Sequence, residues 1–409
     1  MSFGIALSGL NAAQTDLNVT ANNIANSSTT GFKQSRSEFA ELFAVSPQGV
    51  SRNQYGNGVK VAAVAQQFTQ GNTNTTNNSL DLAISGQGFF VVKDGGASQY
   101  TRAGAFEVDD SGYVVNSQNQ RLQVYPPSTT GNFNTSTMTD LRLVTSESAP
   151  AATSNVESVF NLPSSAELPT SPTFDPADPH SYNSATSMTV YDSLGAAHTA
   201  SLYFVKTATP NEWSANVYVD GNALGGPQTL TYSNTGALTS PANGILTMPT
   251  YDAAAGLSTG AAPVNLNFDF SKSTQYGDAF GVNSVTQDGF TTGRLIGIDV
   301  DSTGVVQARF TNGRSNSLGQ VAMANFSNPQ GLQQLGNTNW AETHASGQAL
   351  QGQAGGSGFG LVQSGALEAS NVDITAQLVN MITAQRNFQA NAQMIQTADQ
   401  VTQTIINIR

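Results

Sequence analysis

The run Gly256-Leu257-Ser258-Thr259-Gly260 matches the G-x-S-x-G pattern in which a serine is presented as a nucleophile for acyl transfer. That chemistry needs a strand before the serine and a helix after it, so that a sharp turn exposes the hydroxyl. Here Pro263 follows closely and no helical period appears, so the run reads as a polar turn. His344 stands in a chain order that such a triad allows, yet nothing in the sequence brings it to Ser258. The carboxylate pairs Asp109-Asp110, Asp175 with Asp178, and Asp299 with Asp301 suggest calcium loops. None is followed by the glycine and distal glutamate of that motif, and they read as solvated turn residues. His180, His198 and His344 are too scattered for a metal cluster. Gly355-Gly356-Ser357-Gly358 lacks the strand, spacing and lysine of a phosphate loop. The residues predict no catalytic, cofactor or metal site.

The surface is the more unusual feature. Only 10% of residues are charged, where about 25% is ordinary. Asn, Gln, Ser, Thr and Gly replace the missing charge, and a surface of that kind repels its own copies weakly. Twenty Phe and eleven Tyr argue for a folded chain. A net charge of −12 with no run of Lys or Arg excludes nucleic acid as a partner. The absence of cysteine rules out disulfides and thiolate metal sites, and fits a protein working outside the cell. The first 32 residues contain no Lys or Arg, so the basic start of a cleaved signal peptide is missing. No apolar stretch approaches the ~20 residues of a membrane span. Export is therefore expected to use a route that reads an uncleaved N-terminus.

The elements that carry these residues fall into three parts. Near the N-terminus Phe3, Leu10, Leu17 and Ile24 recur every seven residues, with Ala6, Ala13 and Thr20 three places after the first three. That spacing predicts a helix with a narrow coiled-coil seam, fading at Asn26–Gly31. Near the C-terminus Ile374, Met381, Phe388 and Ile395 repeat the spacing, with Leu378 and Ala392 beside them. The seam then shifts to Met394, Val401 and Ile408, flanked by Ala398 and Ile405. No Gly or Pro interrupts 371–409, so one helix of about 38 residues is expected, capped by Ser370 or Asn371, with Asp373 in its first turn. Such narrow stripes cover too little apolar surface to offset the ordering of two helices, and further copies must bury the rest.

Between the helices the pattern is β. Leu80–Val92, Ala105–Val115, Ser187–Val205, Trp213–Val219, Asn265–Phe270, Leu295–Phe310 and Gln320–Phe326 alternate or run apolar, with Gly-containing turns between them. The Pro-, Ser-, Ala- and Thr-rich stretch Ser146–Tyr182 reads as a crossing between domains, and Gly352–Gly360 as a flexible joint.

Asn22-Asn23-Ile24-Ala25-Asn26 followed by Thr30-Gly31-Phe32-Lys33 resembles the N-terminal signature of the bacterial flagellar rod and hook axial proteins. Gly365–Asp373 (GALEASNVD), Leu378–Ile382 and Gln385–Asn391 resemble their C-terminal signature, and Leu80–Phe90 with Tyr100–Phe106 their shared β domain. Within the family, the length, Val190–Gly195 and Tyr203–Lys206 are similar to the hook branch, whose second β domain the shorter rod members lack. The match weakens over Ser146–Tyr182 and Asp220–Ala262.

The resemblance implies an α+β, mainly β fold: two stacked β domains, the outer inserted in the inner, and terminal helices pairing as a coiled coil. The expected division is 1–28 with 371–409 as the coiled-coil core and 29–71 with 352–370 as an extended connection. An inner β domain takes 72–145 with 282–351, and an outer one 146–281. It further implies a homopolymer forming a short curved tube around an export channel, a universal joint between rod and filament. The implied partners are the chain itself, the distal rod, hook cap and hook–filament junction proteins and the flagellar export apparatus. No cofactor is implied. The signature residues are Asn22, Asn23, Ile24, Asn26, Gly31, Phe32, Ser370, Asn371, Val372 and Asp373. Nearly uncharged helix faces suit a channel wall that must not grip cargo. Two alternatives are a secreted β-rich adhesin, which predicts an exposed aromatic ligand face, and a hydrolase at Ser258, which predicts activity lost in Ser258→Ala.

Overall fold

The computed structural model describes residues 2–42, 56–128, 132–143, 147–252 and 255–407. The fold is mainly β with a helix at each end: α1, Ser2–Ala25, and α2, Ile374–Asn407. Two compact units divide the chain. The first comprises Met1–Thr145, Gly297–Arg309 and Ser315–Arg409; the second, Ser146–Ile296 with Phe310–Arg314, is inserted within it in chain order.

The first unit is built on a sheet of twelve strands among the described residues. Its centre is Phe89–Asp94, antiparallel to Ala97–Thr101, Arg121–Tyr125 and Ser315–Asn325. Successive side chains of a strand point to opposite faces. Phe90 and Val92 thus enter a core with Leu82, Phe106, Leu122 and Val321, while Phe89 and Val91 enter another with Tyr100, Trp340 and Phe326. Burial on both faces is why this stretch reads as an unbroken apolar run. The expected strand Leu80–Val92 breaks at Gly86-Gln87-Gly88 into Leu82–Ser85 and Phe89–Asp94. Leu82–Ser85 pairs with Leu361–Ser364, and Thr73–Thr75 with Ala366–Glu368, so both chain ends return to one place.

The second unit is a sandwich of two sheets around one core that holds Phe160, Phe204, Trp213, Phe268 and Phe270. Two expectations fail here. The segment Ser146–Tyr182 is no mere crossing, because Asn155–Pro163 is a central strand that buries Val156, Phe160 and Leu162 on alternate positions. Prolines and serines on either side hide that alternation from composition. Gly281–Gln287 pairs with this same strand, so the division falls after Ile296 and not after Gly281.

Gly352–Gly360 is a built turn and not a loose joint. Leu350–Gln353 pairs with the strand Ser315–Asn325, Gly360 donates to the Gln87 carbonyl at 2.7 Å, and Ala354 is buried. A Cβ on Gly360 would sit 2.3 Å from the Ser85 carbonyl oxygen, so glycine here permits close backbone approach. The cap of α2 also differs from expectation. Asp373 Oδ1 accepts from the backbone N–H groups of Thr375 and Ala376 at 2.9 and 3.2 Å, making Asp373 the N-cap. Asn371 and Ser370 are left for other work. Ile408 and Arg409 lie outside the described residues, as do 43–55 of the expected connecting region.

Candidate functional site

The terminal helices pack antiparallel through small residues. Ala6, Ala13, Thr20 and Asn23 of α1 are buried, as are Gln377 and Ala384 of α2. Asn23 Nδ2 donates to Gln377 Oε1 at 3.2 Å, and a Cβ on Gly9 would meet Asn391 Oδ1 at 2.5 Å. The heptad period is real, but the contact runs along its small-residue positions. Phe3 is 53% exposed, and Leu10, Leu17 and Ile24 are half-buried. On α2 Met381, Phe388 and Ile395 are half-buried, whereas Ile374, Leu378 and Val401 are exposed, with Leu378 at 46%. The Ile405 side chain lies outside the described set. Val379, Ile382, Met394 and Ile406 add to the uncovered apolar surface of this long helix.

Beneath the helices the signature segments converge on a buried charge cluster. Glu368 Oε1 accepts from Lys33 Nζ at 2.6 Å, and Oε2 from Arg102 Nη1 at 3.2 Å, with the Lys33 and Glu368 side chains wholly buried. Lys33 also donates to the Thr69 carbonyl and Arg102 to the Gly86 carbonyl. Gly71 N–H donates to Glu368 Oε1, and Gly31 N–H to the Glu368 carbonyl. Burial pushes the Lys33 and Arg102 pKa values down, although Glu368 opposes the shift at both. Gly31 takes φ +69°, and a Cβ there would meet Ala103 N at 2.5 Å, so only glycine brings this turn onto the strand.

The neighbouring signature residues fasten backbone. Asn23 exchanges two hydrogen bonds with the Ser35 backbone at 2.7 and 2.8 Å. Asn371 accepts from Gln34 N–H and donates to the Gln67 and Thr69 carbonyls. Asn26 closes α1 by donating from its N–H and its Nδ2 to the Asn22 carbonyl. Phe32 is buried, Val372 half-buried, and Ser370 Oγ accepts from Val372 N–H. Lys33, Arg102 and Glu368 each lie inside a family-like motif, and nothing in their local sequence assigns them a role. Their signal was charge embedded in apolar motifs of a chain that otherwise avoids charge.

The residues that resembled catalytic or metal sites lie elsewhere. Ser258 is exposed in the second unit with no helix after it, while His344 belongs to the first. Asp109 and Asp301 accept backbone N–H groups of their own turns. No group of His, Asp and Glu among the described residues could hold a metal ion.

His198, however, is a buried hub in the second unit. Nδ1 lies 2.5 Å from Asp220 Oδ2 and Nε2 lies 3.3 Å from Asp192 Oδ2. Thr259 donates to Asp192 and Tyr251 to Asp220. Burial alone would lower the His198 pKa, but the hydrogen bonds to Asp220 and Asp192 overcome it and hold the ring above its usual value. The folded state then binds the proton more tightly than the unfolded one. Stability from this group is complete below the unfolded value of ~6.5 and is lost as pH rises through the folded one. The urea midpoint of the second unit, followed by the fluorescence of buried Trp213, is expected to fall as pH rises above about 6.5, and His198→Gln to flatten that slope. An unchanged slope in the variant would remove His198 as its source.

Comparison with known proteins agrees with this geometry. The chain is 40% identical to the flagellar hook protein FlgE of Escherichia coli over an alignment of 417 positions that covers 100% of both chains. The chain belongs to the flagellar hook protein family. It is likewise 40% identical to the Salmonella typhimurium hook protein over the whole of both chains, and 35% identical to that of Borreliella burgdorferi over 98% of each. Family models match in chain order: a flagella basal body rod protein model at 3–33 and a hook FlgE/F/G D1 domain at 83–157. A FlaE D2 domain follows at 161–290 and a rod FlgEFG C-terminal model at 363–408. The crystal structure of Helicobacter pylori flagellar hook protein FlgE2 superposes with a TM-score of 0.53, covering 72% of this chain and 100% of that one. At 14% identity that likeness establishes the fold alone. As a member of the hook protein family, the chain is a structural subunit of the flagellar hook.

Proposed function

We propose that the chain polymerises with copies of itself through α1 and α2 into the curved tube of the hook, transmitting torque and enclosing an export channel. The observation that carries this reading is the uncovered apolar surface of α2. Ile374, Leu378, Val379, Ile382, Met394, Val401 and Ile406 are all exposed in the single chain. Each large apolar side chain gains about 1.5–3 kcal/mol when buried, so water is a poor final partner for this face. Neighbouring copies supply one that repeats at every subunit.

The nearly uncharged polar residues between the apolar ones suit a surface along which cargo passes without adhering. Tight anchoring of both chain ends to the β sheet, through Glu368, Asn371 and Asn23, makes each subunit able to carry load from its helices into its β unit. At the ends of the tube the partners are the distal rod, hook cap and hook–filament junction proteins. The route out of the cell is the flagellar export apparatus. Negative-stain microscopy of the purified chain is expected to show tubes; a chain that stays monomeric at all concentrations overturns the reading.

A further inference from the structure

The two terminal helices carry only three charges: Asp16 on α1, and Arg386 and Asp399 on α2. Asp399 accepts from Gln403 Nε2 on its own helix. Among the described residues, none of the ion pairs or side-chain hydrogen bonds involves Asp16 or Arg386. A chain that has removed nearly every charge from these surfaces retains one unpaired acid and one unpaired base there.

Their positions are complementary between copies and not within one. The contacts Gly9 to Asn391 and Asn23 to Gln377 fix the antiparallel register, which sets Asp16 level with Ala384. Ala384 is buried in the helix contact. Arg386 lies two residues further along α2, about 200° around the helix and ~3 Å along its axis. It is therefore exposed on the side away from α1. Asp16 lines a polar cleft of about 400 Å³, with Thr20, Ser37, Gln377, Asn380 and Thr383 among its other walls. Ser37, in the wall of the same cleft, has a buried Oγ without a hydrogen-bond partner among the described residues, so this wall holds unspent polar capacity as well as the unpaired carboxylate. Arg36, the one cation of the cleft wall among the described residues, is already paired with Glu38 at 2.8 Å.

We infer that Arg386 of one copy seats in the Asp16 cleft of a neighbouring copy, and that this pair sets the register between adjacent subunits. The inference rests on the reading that the chain polymerises through its terminal helices. An ion pair on a surface otherwise free of charge suits that task, because misregistered copies leave both charges unpaired and gain nothing elsewhere. Apolar contacts between the helices supply attraction without choosing one axial offset, whereas a single acid and a single base do choose one.

The chain contains no cysteine, which permits a direct test of proximity. Asp16→Cys and Arg386→Cys chains are prepared separately, checked for native circular dichroism, mixed, assembled and treated with a short bismaleimide. Covalent dimers are expected in the mixed tubes and absent from tubes of either variant alone. A second arm reverses the charges. Asp16→Arg and Arg386→Asp are each expected to raise the concentration needed for assembly about tenfold, and the double reversal to restore it to within about twofold. Tubes that form without the cross-link, or a double reversal that assembles no better than the worse single variant, overturn the pairing alone. A parent chain that forms no tubes overturns the polymer reading, and the pairing with it.

Discussion

Leu378→Asp is expected to abolish tube formation while leaving the single chain as stable as its parent. Leu378 is 46% exposed on α2, outside the stripe of Gln377 and Ala384 that meets α1. A carboxylate there faces water in the monomer and costs little. In the polymer proposed above the same site is expected to lie between copies. The leucine contributes about 1.5–3 kcal/mol by burial, and an unpaired buried carboxylate costs several kcal/mol more. A combined loss of about 5 kcal/mol per contact corresponds to a rise of roughly 4,000-fold in the concentration required for assembly. Sedimentation and microscopy read the polymer, and thermal unfolding reads the monomer. Phe388→Asp should do both kinds of damage, because Phe388 is half-buried within the chain already. Comparing the two separates intermolecular burial from intramolecular packing. Normal tubes from Leu378→Asp would show that this face of α2 stays in water.

Glu368→Gln is expected to be among the most destabilising single changes in the first unit. Glu368 is the only anion among Lys33, Arg102 and itself, and its side chain has no exposed surface. The substitution keeps the shape and removes the charge, leaving two buried cations with carbonyl partners only. Breaking a buried pair in this way costs about 3–5 kcal/mol, and for a unit of this size that lowers the melting temperature by roughly 10 °C. The pH dependence supplies a second signature. Burial already holds the Lys33 pKa down while Glu368 opposes the shift; without Glu368 the depression deepens. The unfolded state then binds a proton that the folded state gives up, so stability rises with pH up to the unfolded lysine value of ~10.4. Partial recovery of the melting temperature between pH 7 and 10 is therefore expected in the variant. A loss below about 1 kcal/mol with no such recovery would mean that water reaches the cluster.

The β character of the middle and the helical character of the ends were legible because local pattern carries them. Ala200, Leu202 and Phe204 are buried at every second position within the expected strand Ser187–Val205, whereas the same alternation at Val156, Phe160 and Leu162 was hidden by the prolines and serines around it. The turns at Asp94-Gly95-Gly96 and Asp301–Gly304 announce themselves through residues that accept positive φ or bind their own backbone. The cap of α2 was misplaced by two residues because Ser370, Asn371 and Asp373 are all good caps by type. The choice went to Asp373 only because Asn371 is occupied by Gln34, Gln67 and Thr69, more than three hundred residues away in the chain.

By itself the sequence determined that there are two heptad helices at the ends of a β chain, that their surfaces are nearly free of charge, and which family signatures they carry. Each of these depends on residues within a few positions of one another. Tertiary structure alone decided which side of each helix is spent inside the chain. A sevenfold period marks a stripe but not the partner that covers it, and close packing of α1 on α2 selected Ala6, Ala13, Thr20 and Ala384 over Phe3 and Leu378. The same holds for Lys33, Arg102 and Glu368. Each is an ordinary charge in its own segment, and only the fold, by bringing these three distant segments together, makes them a buried cluster, because desolvation belongs to the place where they meet.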